Sequence, residues 1–193
     1  MIILLIDLQS LLRVREVRVS NKVRFAIWGG MIIGGLLVSK LLLDEVLIIR
    51  FNPLLSVSLG VVLLLIIMWV AGSTGRWLAQ YGKISDSESF GDLSRLVKEG
   101  PYSCMRHPMH LFLSLFPISI GLIFSSPSMV LIVGPLETVL VLLMAVLIDE
   151  KESIERFKEE YIEYRKRVPA FNLNPQCLRL VFTRPSKKGK KNG

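Results

Sequence analysis

Four stretches of the chain are almost uninterruptedly apolar: 25–43, 54–72, 109–124 and 129–148. A helix crosses the hydrocarbon layer with about 17–25 apolar residues. Three stretches meet that length, and the third completes it only by taking in Pro108 and Ser125–Ser126 at its ends. Proline disfavours helix in the residue before it, so Phe51-Asn52-Pro53 and Ser125-Ser126-Pro127 read as the turns of two hairpins. The second turn is too tight to hold a domain on its side. Residues 1–12, MIILLIDLQSLL, span only about 18 Å as a helix and are interrupted by Asp7. They read as an interfacial or half-embedded helix, or as a fifth span, and they lack the basic start of a cleaved signal peptide.

After residue 148 the pattern changes abruptly. DEKESIERFKEEYIEYRKRV is charged, and its apolar positions Ile154, Phe157, Tyr161, Tyr164 and Val168 are spaced 3, 4, 3, 4. That spacing makes one helix face, ended by Pro169, on a helix continuing the last span. The expectation is therefore an all-α polytopic membrane bundle of four to five transmembrane helices, with a cytoplasmic C-terminal amphipathic helix. It divides into an N-terminal apolar and basic segment (1–24), a first hairpin (25–72), a connection (73–106), a second hairpin (107–148) and a C-terminal helix with a basic tail (149–193).

Composition agrees: 51% of the 193 residues are hydrophobic, too many for a soluble domain to cover with its remaining polar sequence. The net charge of +8 changes the picture through its placement. Arg13, Arg15, Arg18, Lys22 and Arg24 precede the first run, and Arg76, Lys83, Arg95, Lys98 and Arg106 separate the hairpins. Beyond Glu163 there are nine Lys/Arg and no acid. The other two connections carry only Asp44, Glu45 and Arg50, or no charge at all. An excess of Lys and Arg marks cytoplasmic loops, and basic residues spread over separate membrane-proximal segments argue against nucleic acid. Cys104 and Cys177 both fall on that side, where thiols are expected to stay reduced. The tail SKKGKKNG is polar and reads as disordered. Its Lys190 and Lys191 stand where a dilysine retrieval signal would, so the expected address is the endoplasmic reticulum membrane in a eukaryote and the plasma membrane in a prokaryote.

Chemistry concentrates in two places. In EGPYSCMRHPMH, Gly100-Pro101 makes a turn and Pro108 suits the first turn of the third span, which puts Arg106 and His107 at its mouth. Arginine offers a planar fork for a carboxylate. Cys104, His107 and His110 recur every three residues, but they give three ligands at best, without CxxC or HExxH, so no metal centre is expected. In the second place, Glu150 shares the face of Tyr161 and Tyr164. A carboxylate on an apolar-aromatic face needs a partner, whereas Glu152, Glu155, Glu159 and Glu163 lie on outer faces and mostly pair at i,i+4, as in Glu152–Arg156 and Glu163–Arg167. Glu137 sits near the middle of the fourth span. It reads either as a functional group lining a lipid tunnel or as a protonated acid hydrogen-bonded within the bundle. Lys40, nearer a span end, can snorkel.

Taken together, EGPYSCMRHPMH, a span, a Ser-Pro turn, another span and DEKESIERFKEEYIEYRKRVP resemble the isoprenylcysteine carboxyl methyltransferase family, to which membrane phospholipid methyltransferases are related. The resemblance covers about residues 90–172. Its Gly-x-Tyr and Arg-His-Pro fall on Gly100, Tyr102, Arg106, His107 and Pro108; its paired acids on Asp149 and Glu150; its Tyr-x-x-Tyr and Arg-Val-Pro on Tyr161, Tyr164, Arg167, Val168 and Pro169. It departs from the family at His110, where a Tyr is common, and at Ala170, where many relatives have Arg.

The resemblance implies a methyltransferase that holds S-adenosyl-L-methionine (SAM) in a cytoplasm-facing pocket and acts on a lipidic or prenylated acceptor. Arg106 or His107 suits the cofactor's carboxylate, Glu150 its ammonium, and Tyr102, Tyr161 or Tyr164 its sulfonium or adenine. Arg167 and Arg106 are the candidates for catalysis, with Arg167 and Glu137 toward the substrate. Three other readings stay open: phospholipid amine N-methylation, a reductase holding NADPH, and a non-catalytic membrane protein.

Overall fold

The computed structural model describes residues 21–83 and 93–186. The apolar stretch 1–12, with Arg13, Arg15 and Arg18, and the Lys190–Lys191 pair lie outside them. All regular structure among the described residues is helical. Four helices run alternately up and down: α1 (Val23–Val46), α2 (Pro53–Tyr81), α3 (Pro108–Ile123) and α4 (Met129–Phe157). Of these, α1, α2 and α4 are long and apolar enough to cross a membrane, and α3 is a shorter apolar helix. Large aliphatic side chains such as Leu41, Leu54, Leu65, Leu136 and Leu147 stay exposed, a surface suited to lipid rather than water.

Local sequence explains the turns. Asn52 accepts the amide of Leu55 at 3.2 Å and Pro53 opens α2, a capped start with proline at the first helical position. The same helix continues beyond Gly72 to Tyr81. At its lower end α2 meets α3 backbone to backbone: a Cβ on Gly60 would lie 2.7 Å from the amide nitrogen of Ile123.

Both ends of α1 are tied to the second hairpin by charge. At one end Asp44 Oδ1 accepts from Ser126 Oγ at 3.0 Å, Ser128 Oγ at 2.7 Å and Ser128 N at 3.0 Å. Lys40 pairs with Asp44 Oδ2 at 3.3 Å and so joins this cluster. At the other end Arg24 Nη1 meets Asp149 at 2.7 Å, and its Nη2 meets Glu152. Between them Glu137 is buried in the bundle, pressed toward Gly35, and its Oε2 has no hydrogen-bond partner among the described residues.

Two local expectations are corrected. The charged segment is not one helix: α4 ends at Phe157 and α5 (Glu159–Arg167) begins after Lys158, which sits at φ 48. No Gly, Asn or Pro marks the break; contacts of α5 described below hold it. Second, Cys104 and Cys177 form a disulfide, Cα atoms 5.7 Å apart. The expectation of free thiols weighed only the compartment. The fold brings α6 (Pro175–Val181), capped by Asn174, back onto the segment before α3, where Cys177 and Val181 bury against Val70 and Met105. Beyond α6, the Thr183 carbonyl accepts from Trp77 Nε1 at 3.0 Å and from Ser73 Oγ.

Candidate functional site

The site forms where four pieces of chain meet: the turn 100–107, the end of α4, α5, and the segment 168–172 that follows it. Gly100 begins the turn at φ 59 with Trp77 packed against it; a Cβ there would stand 2.5 Å from the indole, so a glycine is required. The backbone of Arg106 donates to Pro169 O at 2.9 Å and that of His107 to Ala170 O at 3.1 Å. These two bonds dock the Arg-Val-Pro segment against Arg-His-Pro.

Glu150 is the hub. Its side chain is 2% exposed, and a buried carboxylate needs partners. Arg106 Nε and Nη2 donate to its Oε1 at 3.0 and 2.5 Å, and His107 Nε2 lies 3.3 Å from the same oxygen. The Arg106 Nη1 donates instead to the carbonyls of Val168 at 2.7 Å and Arg165 at 3.1 Å. One guanidinium thus clamps α4 to the end of α5. Oε2 of Glu150 has no hydrogen-bond partner among the described residues, although Arg165 Nε stands 3.3 Å away as an ion pair.

The tyrosines close the site. Tyr164 Oη donates to the Tyr102 carbonyl at 2.5 Å, and Tyr161 and Tyr164 meet edge to face with centroids 5.9 Å apart. Burial, then the Glu150 charge, pushes the Tyr161 phenol up to about 12. Burial raises Tyr102 and Tyr164 further, so all three stay protonated. Burial and the neighbouring His110 lower the His107 imidazole to about 4, against the opposite pull of Glu150 and Asp149. His107 is neutral near pH 7.

The structure therefore gathers Gly100, Tyr102, Arg106, His107, Pro108, Glu150, Tyr161 and Tyr164 at one end of the bundle. It leaves two candidates apart. Arg167 is 79% exposed and pairs only distantly with Glu163 at 3.9 Å. It lines a shallow depression of about 530 Å³ with Lys98, Ser103 and Tyr164. Glu137 lies in the apolar part of α4, about 18 Å along the helix from Asp149. Sequence reasoning missed Arg165 and Arg24. On a straight helix Arg165 would stand about 22 Å from Glu150, and only the break at Lys158 brings it close. Arg24 was counted as one of several flanking charges, and nothing in the pattern tied it to Asp149. His110 Nε2 also contacts Asp149, at 3.1 Å.

The site thus sits at one end of a bundle whose helices α1, α2 and α4 are long and apolar enough to cross a membrane. The model of the phospholipid methyltransferase family matches residues 50–159, more than half of the chain, and the chain belongs to that family. No curated protein and no solved structure matches it. The resemblance read from the motifs is borne out at the level of the family, and with it a methyltransferase carrying helices fit for a membrane.

The residues present fit the family's cofactor. SAM carries an ammonium, a carboxylate, a sulfonium and an adenine. Buried and without hydrogen-bond partners among the described residues stand Glu150 Oε2, an acceptor for an ammonium, and the hydroxyls of Tyr102 and Tyr161.

Proposed function

We propose that the protein is a SAM-dependent methyltransferase that methylates the polar end of a lipidic acceptor, of the isoprenylcysteine carboxylate type. The observation that carries this reading is the buried Arg106–Glu150–His107 cluster, which joins two sequence-distant motifs beneath a pair of protonated tyrosines. Arg106 spends its donors on Glu150 and two carbonyls, so its role is to hold Glu150 and α5 in place. Glu150 Oε2 would take the cofactor's ammonium. Arg165, half-exposed beside it, would take an anionic group. Tyr102, Tyr161 and Tyr164 would line the sulfonium or adenine. The cofactor supplies an activated methyl group; the protein aligns it and keeps out water.

A carboxylate acceptor is already ionised and needs no base, which suits a site whose His107 is neutral, buried and engaged. Arg165 gives it a cationic rim. Glu137 belongs, on this reading, to the path of the acceptor's tail. The second reading, amine methylation of a phospholipid, is favoured by one contact: His110 with Asp149 is an imidazole oriented by a carboxylate, as a general base requires. Purified protein given labelled SAM with N-acetyl-S-farnesylcysteine or with phosphatidylethanolamine separates them. A base-labile methyl ester supports the first reading; label found only in base-stable lipid amine replaces it with the second.

The reading includes four spans, α3 being the short one, with Lys83 and the site on the cytoplasmic side and Ser126 opposite, from the Lys/Arg asymmetry. The Cys104–Cys177 disulfide weighs against that sidedness, since cytosolic thiols are kept reduced. Single-cysteine labelling in sealed vesicles decides it. Cysteine at 83 should be protected from outside reagent differently from cysteine at 126, and equal protection rejects the topology.

A further inference from the structure

The cofactor reading leaves His110 and Asp149 unused, and the structure sets them beside His107 in a way the sequence did not suggest. By spacing, the third partner of the two histidines was Cys104, but the disulfide removes that thiol. In its place the end of α4 supplies Asp149. One ligand atom from each of His107, His110 and Asp149 lies within 4.8 Å of the others.

From this juxtaposition we infer that His107, His110 and Asp149 form a binding site for a transition-metal dication of the Zn²⁺ type. Two imidazoles and one carboxylate suit Zn²⁺, Co²⁺ or Ni²⁺ rather than Mg²⁺ or Ca²⁺, which prefer all-oxygen sets. Three protein ligands and an open fourth position are the pattern of sites that exchange a water or a ligand. With bonds of about 2.0–2.2 Å, neighbouring ligand atoms around one ion stand about 3.4 Å apart, so the three must draw in slightly. The two that must move are the freer ones: His110 is 38% exposed and Asp149 23%. The Asp149 oxygen facing His110 is Oδ2, whereas Arg24 holds Oδ1, so one oxygen is available without breaking the helix α1 contact. His107 turns from Glu150 to the metal at little loss, because Glu150 Oε1 keeps both bonds from Arg106. Charge is balanced beforehand: Asp149, Glu150 and Glu152 face Arg24, Arg106 and Arg165. A dication meets no net repulsion.

His107 is shared with the site of the preceding section. The metal takes only His107 from that site; Glu150, which on that reading meets the cofactor, keeps both bonds from Arg106.

The test is unusually clean because these are the chain's only two histidines and its only two cysteines are paired. Tag-free, detergent-solubilised full chain is titrated with Co²⁺, and separately with S-adenosylhomocysteine. The expected result is one Co²⁺ per chain with the intense visible absorption of a tetrahedral site, displaced by Zn²⁺. His110→Tyr and Asp149→Asn should each weaken it at least about tenfold, and Glu155→Ala should leave it unchanged. Absence of that absorption in the parent protein, or its persistence in His110→Tyr, overturns the proposal. A protein that binds S-adenosylhomocysteine but not Co²⁺ loses the metal site and keeps the methyltransferase reading. One that binds Co²⁺ but not S-adenosylhomocysteine does the reverse.

Discussion

Glu150 shows how one side chain can hold a site together and still be free to work. Its Oε1 takes both bonds from Arg106 and faces His107, while Oε2 is buried, without a hydrogen-bond partner among the described residues, and ion-paired with the half-exposed Arg165. Removing one partner of a buried ion pair costs about 3–5 kcal/mol, because the remaining charge stays desolvated. Arg106→Ala and Glu150→Ala should therefore both weaken S-adenosylhomocysteine at least tenfold and lower the melting temperature. Glu155→Ala, on an exposed face, should change neither. Calorimetric titration with a thermal scan checks this, and a Glu150→Ala protein that binds like the parent rules out Glu150 as the anchor. Much of this residue-level picture was legible. Glu150, Tyr161 and Tyr164 share a helical face in the sequence and all three are buried together. What was not legible is which donors reach Glu150. Arg106 could be assigned to a ligand carboxylate from its chemistry, yet in the fold its donors are consumed by Glu150 and two carbonyls.

At the scale of elements, the sequence marks its helix starts well and its helix break not at all. Asn52-Pro53 and Pro108 are read directly from capping and proline chemistry, and the apolar runs give the starts of α1, α2 and α4 within two residues, whereas α2 runs nine residues past its apolar stretch to Tyr81. Lys158 carries no such mark. Its φ of 48 is unfavourable for a residue with a Cβ, typically by about 1–2 kcal/mol. The strain is sustained by α5 contacts: Arg106 on the Arg165 and Val168 carbonyls, Tyr164 on the Tyr102 carbonyl. Lys158→Gly should relieve it and raise thermal stability by about 1 kcal/mol, with S-adenosylhomocysteine affinity preserved. A thermal scan showing a lower midpoint for the glycine variant would mean that the lysine backbone is not strained there. α6 was likewise missed, because a seven-residue helix carries too little periodicity to stand out. Its placement rests on the Cys177 link and the Val70–Met105 cluster, which only the fold brings together.

For the whole molecule, the long helix α4 has a consequence of its own. It runs without interruption from Met129, beside the turn latched by Asp44, to Phe157. At 1.5 Å per residue, Glu150 stands about 31 Å from Met129, close to the roughly 30 Å thickness of a hydrocarbon layer. On the proposed topology the helix is a ruler laid across the bilayer: with the Ser126–Ser128 turn at one surface, the proposed methyl-transfer site is held at the other. Acyl-chain length then becomes a variable of the reaction, because a lipid layer that does not match the ruler tilts it and moves the site away from the depth where acceptor headgroups lie. Protein reconstituted in short-, medium- and long-chain phosphatidylcholine vesicles should show turnover that peaks at the matched thickness, while S-adenosylhomocysteine affinity stays level across the series. Turnover indifferent to chain length would mean that acceptors reach the site from the water, with the bilayer serving only as an anchor.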